Sequence, residues 1–299
     1  MGRLDEAMAH AHKGLQQARA AGDLNTEAAI HTNIGVTSIE ANRAGLALAH
    51  YQHALDAYQA AGSRSGVINV RSNLAQVEMT LGRLANARDL LQRVVQECRE
   101  IGSRRLEAMA CANLGGMLSE LGEAQSGYDT AVEGVRLSRL SGESRTEAWA
   151  HHSAQTAAGV LGRFHDALDH ARAACAGFKA HKDQTAEWIN AGAAVRNLQA
   201  LGRQDEALAA ADTLLAEVDA RGGWDGGFEP AYHVYRALAP LGDPRAQDLL
   251  ACAYAAFSAE ADLLAEHVPR DTFMHSTFVA RGICEDWAAA QAAGNAKPG

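Results

Sequence analysis

Proline is scarce in this chain, 5 among 299 residues, and aromatic residues make up only 5%. Few helix interruptions and few bulky sheet formers point away from a sheet protein and toward close-packed helices. The five cysteines (Cys98, Cys111, Cys175, Cys252, Cys284) are odd in number and never spaced Cys-x-x-Cys, which argues against a disulfide framework or a thiolate zinc site and leaves buried free thiols. No run of 18 or more apolar residues and no charged-apolar-small leader occurs, so no membrane span is expected and the cytoplasm is the expected setting. A basic surplus is absent too. The formal net charge is -9 and the isoelectric point near 5.8, with the charges dispersed, so neither nucleic acid nor an anionic membrane is an expected partner.

The motifs of common chemistry are also absent. The chain has no Gly-x-Ser-x-Gly, no Gly-x-x-x-x-Gly-Lys and no Gly-x-Gly-x-x-Gly. The closest histidines (His10 and His12, His50 and His53, His151 and His152, His165 and His170) lack the His-Glu-x-x-His spacing and read as surface or groove residues. No catalytic residue, metal or cofactor is expected, and the chain reads as a non-enzyme.

What is present is a period. Asn33-Ile34-Gly35, Asn73-Leu74-Ala75 and Asn113-Leu114-Gly115 recur 40 residues apart and fade to Ser153-Ala154-Gln155 and Ala193-Ala194-Val195. A period of this size means stacked supersecondary units. Two glycine series mark the turns. One is Gly2, Gly82, Gly122, Gly162, Gly202 and Gly242, with Asn42 in the missing slot; the other is Gly22, Gly62, Gly102, Gly142 and Gly222, with Lys182 in its gap. They interleave every 20 residues, so each unit is helix, turn, helix, turn, with Gly as the left-handed stop. Apolar residues at three-four spacing, such as Val70, Leu74, Val77 and Leu81, put one stripe on each first helix. Second helices begin after Leu-Gly-Arg, as at Leu81-Gly82-Arg83 and Leu201-Gly202-Arg203.

This pattern resembles the tetratricopeptide repeat in a 40-residue variant common in bacterial regulators, over roughly Met1 to Leu241. The family's small residue after Asn-Leu matches Gly35, Ala75 and Gly115, and its second-helix Ala matches Ala7, Ala47, Ala87, Ala167 and Ala207. Gln155 and Val195 depart at the small position, and Gly127 stands where the second-helix Ala belongs. The resemblance implies an all-α fold, a right-handed α-α superhelix. The expected organisation is a solenoid over 1–241, capping helices over 242–291 and a frayed tail over 292–299.

Met1 to Ala7 aligns with the second helix of a unit, so the chain is expected to be a fragment or a gene with a late start, and an uncapped first helix would be a ready homodimer face. Asp243-Pro244 reads as the cap and first-turn proline of a helix reaching about His267. Pro269 reads as the start of one last helix to near Ala290. Phe273-Met274, then Arg281, Ile283 and Trp287, is similar to the ending of tetratricopeptide arrays in bacterial class III cyclases and signalling ATPases, although the usual Asn before the Arg is Ala280. That likeness implies the sensing or docking end of a larger regulator.

Asn is a poor helix-interior residue, because its amide competes for backbone hydrogen bonds, so the column Asn33, Asn73, Asn113 needs a reason. In the resembled family the position faces a concave groove, where an amide can pair with an extended peptide backbone. The alternative is that each Asn bonds the next unit and stiffens the stack. One turn either side come Asn69, Gln76, Met109, Trp149, His152, Thr156 and Arg196, which offer amides, an aromatic anchor and one positive charge to a protein or peptide segment. The lysine clamp of chaperone-binding members is missing: Thr32, Ser72, Ala112, His152 and Gly192 stand there.

Overall fold

A computed structural model describes residues 2–41, 43–224, 227–265 and 268–295. The described residues form fifteen α-helices and no strand: α1 (Gly2–Ala21), α2 (Leu24–Glu40), α3 (Ala44–Ala60), α4 (Arg64–Thr80), α5 (Leu84–Glu100), α6 (Arg104–Glu120), α7 (Ala124–Ser141), α8 (Ser144–Val160), α9 (Phe164–Ala180), α10 (Gln184–Ala200), α11 (Gln204–Ala220), α12 (Glu229–Leu238), α13 (Ala246–Leu264), α14 (Arg270–Met274) and α15 (Phe278–Asn295). Each helix packs on its neighbours in sequence, and α2, α4, α6, α8, α10 and α12 repeat at 40 residues, which is an all-α solenoid. None of these helices is long and apolar enough to cross a membrane.

The glycines of the two series between Gly22 and Gly242 all end helices at φ between 67° and 89°. Lys182 takes the same conformation at φ 57°, a position that costs a side chain free energy and a glycine little. Gly2 opens α1 instead, and Asn42 lies outside the described residues. The side chains of residues 1–9, on which an exposed first-helix face would depend, are outside them as well.

A second 40-residue column starts the even-numbered helices, the first of each pair. Asp23, Ser63, Ser103 and Asp183 accept N–H bonds from Thr26, Gly66, Leu106 and Ala186 at 3.0 to 3.5 Å, so each of these helices has a side-chain cap. The helices that follow the Leu-Gly-Arg turns have none.

The small positions are close approaches. A Cβ on Gly35 would sit 2.4 Å from the Tyr51 ring. The departure at Gly127 is explained by its partner. A Cβ there would lie 2.7 Å from the Gly115 carbonyl oxygen, and a Cβ on Gly115 would lie 2.9 Å from that of Gly127. Two facing glycines draw α6 and α7 closer than a Gly-Ala pair permits.

The cysteine expectation holds for Cys98 and Cys111, which are buried, and whose thiols burial pushes up to about 12. Cys252 is exposed, because it falls off the Leu249, Ala253, Phe257 stripe of α13.

The C-terminal third differs from expectation in detail. Helix α13 begins at Ala246, because Asp243 takes the Arg245 N–H and guanidinium and holds Pro244 in a turn. It ends at Leu264, and His267 lies outside the described residues. The single last helix is two, broken at His275 to Thr277. Ser276 Oγ donates to the Phe273 carbonyl and Thr277 Oγ1 accepts the Ala280 N–H, so one hydroxyl closes α14 and the next opens α15. Helix α15 runs to Asn295 instead of stopping near Ala290, and residues 296–299 lie outside the described part.

These last helices turn back over the stack. Phe278 N–H donates to Glu120 Oε2 at 2.7 Å, bridging 158 residues of chain, and Ser276 seats against Gly82. One apolar core joins Val77 and Leu81 of the early units to Phe257, Phe273, Met274 and Ile283. Tyr232 Oη donates to Asp286 at 2.8 Å, and the Tyr254 and Trp287 rings stack at 4.5 Å.

Candidate functional site

The even-numbered helices α4 to α12 line one channel, and α14 and α15 roof part of it. Under the roof are two adjoining cavities of about 490 and 460 Å³. Both are bounded by Glu120, His152, Thr156, Glu229 and Val279. They suit a compact ligand.

Six of the ten residues singled out from the sequence meet there. Gln76, Asn113, Trp149, His152 and Thr156 line the larger cavity, and Arg196 joins His152 and Thr156 on the smaller. Trp149 is 39% exposed, yet its ring is held edge-on by Phe178 at 4.8 Å and His152 at 5.6 Å. His152 Nδ1 lies 3.2 Å from Asn190 Oδ1, and burial lowers its basicity. Asn33, Asn69, Asn73 and Met109 line neither cavity.

The amides of Asn33, Asn69, Asn73 and Asn113 make no hydrogen bond to any described residue. Asn33 takes part only through its backbone carbonyl, which accepts from Thr37 at 3.0 Å. A role in bonding the next unit is therefore not what these amides perform.

The channel also holds residues that motif reading passed over. Burial pushes the Glu229 carboxyl up to about 7, with the Glu120 and Glu260 charges adding to the shift. Glu120 and Glu260 are raised by burial too, with the Phe278 N–H and Arg281 acting against burial at Glu120. Burial brings Arg196 down to about 10, helped by Arg236. His233 is held well below its ordinary value by burial and then by Arg196. Register is the signal that finds some of them: Glu229 continues Asn69, Met109, Trp149 and Ile189, His233 continues the Asn column, and Arg236 continues Arg196.

His10, His12, His53 and His165 are exposed as expected, whereas His50, His151 and His170 belong to pairs that depart from the surface reading. His31 and His50 meet Nδ1 to Nδ1 at 2.8 Å, and His151 and His170 do so at 2.7 Å, three repeats later at the same register. His31 and His151 are buried, and burial followed by the partner ring lowers each to about 4. Arg139 donates to His151 Nε2 at 3.1 Å, which leaves the neutral ring's proton on Nδ1 for His170. Among the described residues no three His, Cys, Asp or Glu side chains are placed to hold a metal ion.

No protein-family model matches the chain. No curated protein matches it either. Solved structures do. BtubC (BKLC) from P. vanneervenii is 16% identical at a TM-score of 0.62, covering 75% of this chain and 94% of that one. A Rap protein complexed with competence and sporulation factor is 14% identical at 0.60, covering 88% and 76%. A signal transduction ATPase with a tetratricopeptide repeat sensor from Pyrococcus horikoshii is 13% identical at 0.60, covering 91% of this chain and 43% of that one. At these identities the likeness speaks to fold alone, and together with the 40-residue pairs it makes the chain a tetratricopeptide-like repeat protein.

Proposed function

We propose that the chain is a non-enzymatic scaffold that holds an extended polypeptide segment along the channel face, gripped by the amides of Asn33, Asn69, Asn73 and Asn113 and anchored beside Trp149. The observation that carries this reading is the idleness of those four amides, each with donor and acceptor free at a repeated helix-interior position. Met109 and Gln76 would supply apolar and polar contact between them, and the 40-residue spacing would present amides at regular intervals along an extended strand. A preformed row of this kind avoids much of the ordering cost of binding.

The test is to pan a random-peptide display library against the full chain. Peptides so enriched should bind Asn73→Ala/Asn113→Ala about tenfold more weakly or worse, at an unchanged melting temperature, from two lost amide pairs. Equal binding by the double variant, or no enrichment, rejects the reading.

A second reading, the sensor region of a larger signalling protein, draws on the structural likeness to the Pyrococcus ATPase, of which this chain spans 43%. Fusion to the missing part would then change that part's nucleotide turnover on adding a channel-binding peptide, and no change would count against it.

A further inference from the structure

Partnerless polar groups collect in the smaller roofed cavity. Gln155 is 1% exposed; its Nε2 donates to Thr156 Oγ1, but its Oε1 meets no donor. His233 is 6% exposed, with Nδ1 unpartnered. Both side chains line this cavity, and so does Arg196, whose guanidinium has no hydrogen-bond or ion-pair partner among the described residues. On the opposite sign, Glu229 lines the same space with no hydrogen bond and no cation within ion-pair distance among the described residues, and Glu120 has only the Phe278 N–H.

A half-buried charge or buried polar atom left without a partner is costly, and water or a ligand that supplies the complement relieves that cost. An anion alone would satisfy Arg196 and worsen the surroundings of Glu229 and Glu120. An organic cation alone would do the reverse. The charges that act on Glu229 are those of Glu120 and Glu260, and those that act on Arg196 come from Arg236 and Tyr232, so groups of both signs face the cavity. Phe278 and Val279 border the space, and about 460 Å³ limits what enters.

We propose that this cavity binds a small zwitterion of dipeptide size, with its carboxylate on Arg196 and its ammonium between Glu229 and Glu120. This goes beyond the scaffold reading and does not depend on it, because neither the four amides nor Trp149 lines the smaller cavity.

Equilibrium dialysis of the full chain against a pool of free dipeptides, with bound species identified by mass spectrometry, tests the assignment. Two further arms use the same pool N-acetylated and the same pool C-amidated. The free pool should yield retained dipeptides, and each capping should reduce retention about tenfold or more. Arg196→Gln should retain free acid and amide equally, and Glu229→Gln should do the same for free and acetylated amines. Failure of the unmodified chain to retain any free dipeptide, or equal retention of the capped pools, overturns the proposal without reference to the variants. Loss of peptide binding by the Asn73/Asn113 variant, with dipeptide retention intact, would separate this site from the scaffold surface.

Discussion

The paired histidines make stability depend on pH in a calculable way. In the unfolded chain a histidine titrates near its ordinary value of about 6.5. In the fold His31 and His151 titrate at about 4. Between those values the unfolded state binds the extra proton, so stability is full above about 6.5 and declines as the pH falls toward 4. At pH 5 the loss is about 2 kcal/mol for each of the two buried rings. The groups facing His151 are His170, Arg139 and Glu147, and those facing His31 are His50, His53, Arg19 and Glu27. Glu229 works in the opposite sense, since a carboxyl raised by burial gains relative to the unfolded state as it protonates. A comparison that cancels such background is needed. Urea unfolding of the parent and of His151→Gln, followed by far-ultraviolet circular dichroism at pH 7 and pH 5, provides it. The variant has no ring to protonate at that position, so its stability should fall between the two pH values by about 2 kcal/mol less than the parent's, whatever its starting stability. The same decline in both proteins would refute a neutral, proton-sharing pair.

Two further outcomes follow from backbone geometry. Gly127→Ala restores the residue the tetratricopeptide pattern prefers, yet the new Cβ would meet the Gly115 carbonyl at 2.7 Å and Ser119 Oγ at 2.5 Å, so the variant should lose about 1–3 kcal/mol in urea unfolding; an unchanged midpoint would mean that α6 and α7 separate freely. Lys182→Gly relieves the exposed left-handed lysine at φ 57° and should gain about 0.5–1 kcal/mol, after allowance for the looser unfolded chain, with a lower melting temperature counting against the strain argument.

The repeat was readable because its punctuation is local. A glycine that must take positive φ leaves the same mark every 40 residues, and the stripe Val70, Leu74, Val77, Leu81 carries its period in the residues themselves. The cap column Asp23, Ser63, Ser103, Asp183 was equally local, but its members differ in type and so do not show as a repeated letter. The histidine pairs were not legible by proximity. His31 and His50 stand 19 residues apart, and only the pairing of two helices in one unit brings their Nδ1 atoms together. Of the site, the column positions were legible as positions, whereas the roof was not, because no local pattern records that Phe278 will meet Glu120. The acidic lining shares that fate: Glu120, Glu229 and Glu260 are scattered carboxylates until α12 to α15 enclose them.

A solenoid ordinarily tolerates gain or loss of units, since each layer touches only the next. The Glu120 to Phe278 bond and the common core of Leu81 with Phe273 turn the open row into a circuit. A circuit has a circumference. Deleting or inserting one 40-residue pair between α6 and α12 would carry the returning helices past their seat, so the number of units is fixed by closure, as the number of staves is fixed in a barrel, and internal duplication, the usual route by which such arrays lengthen, is barred to this one between those points.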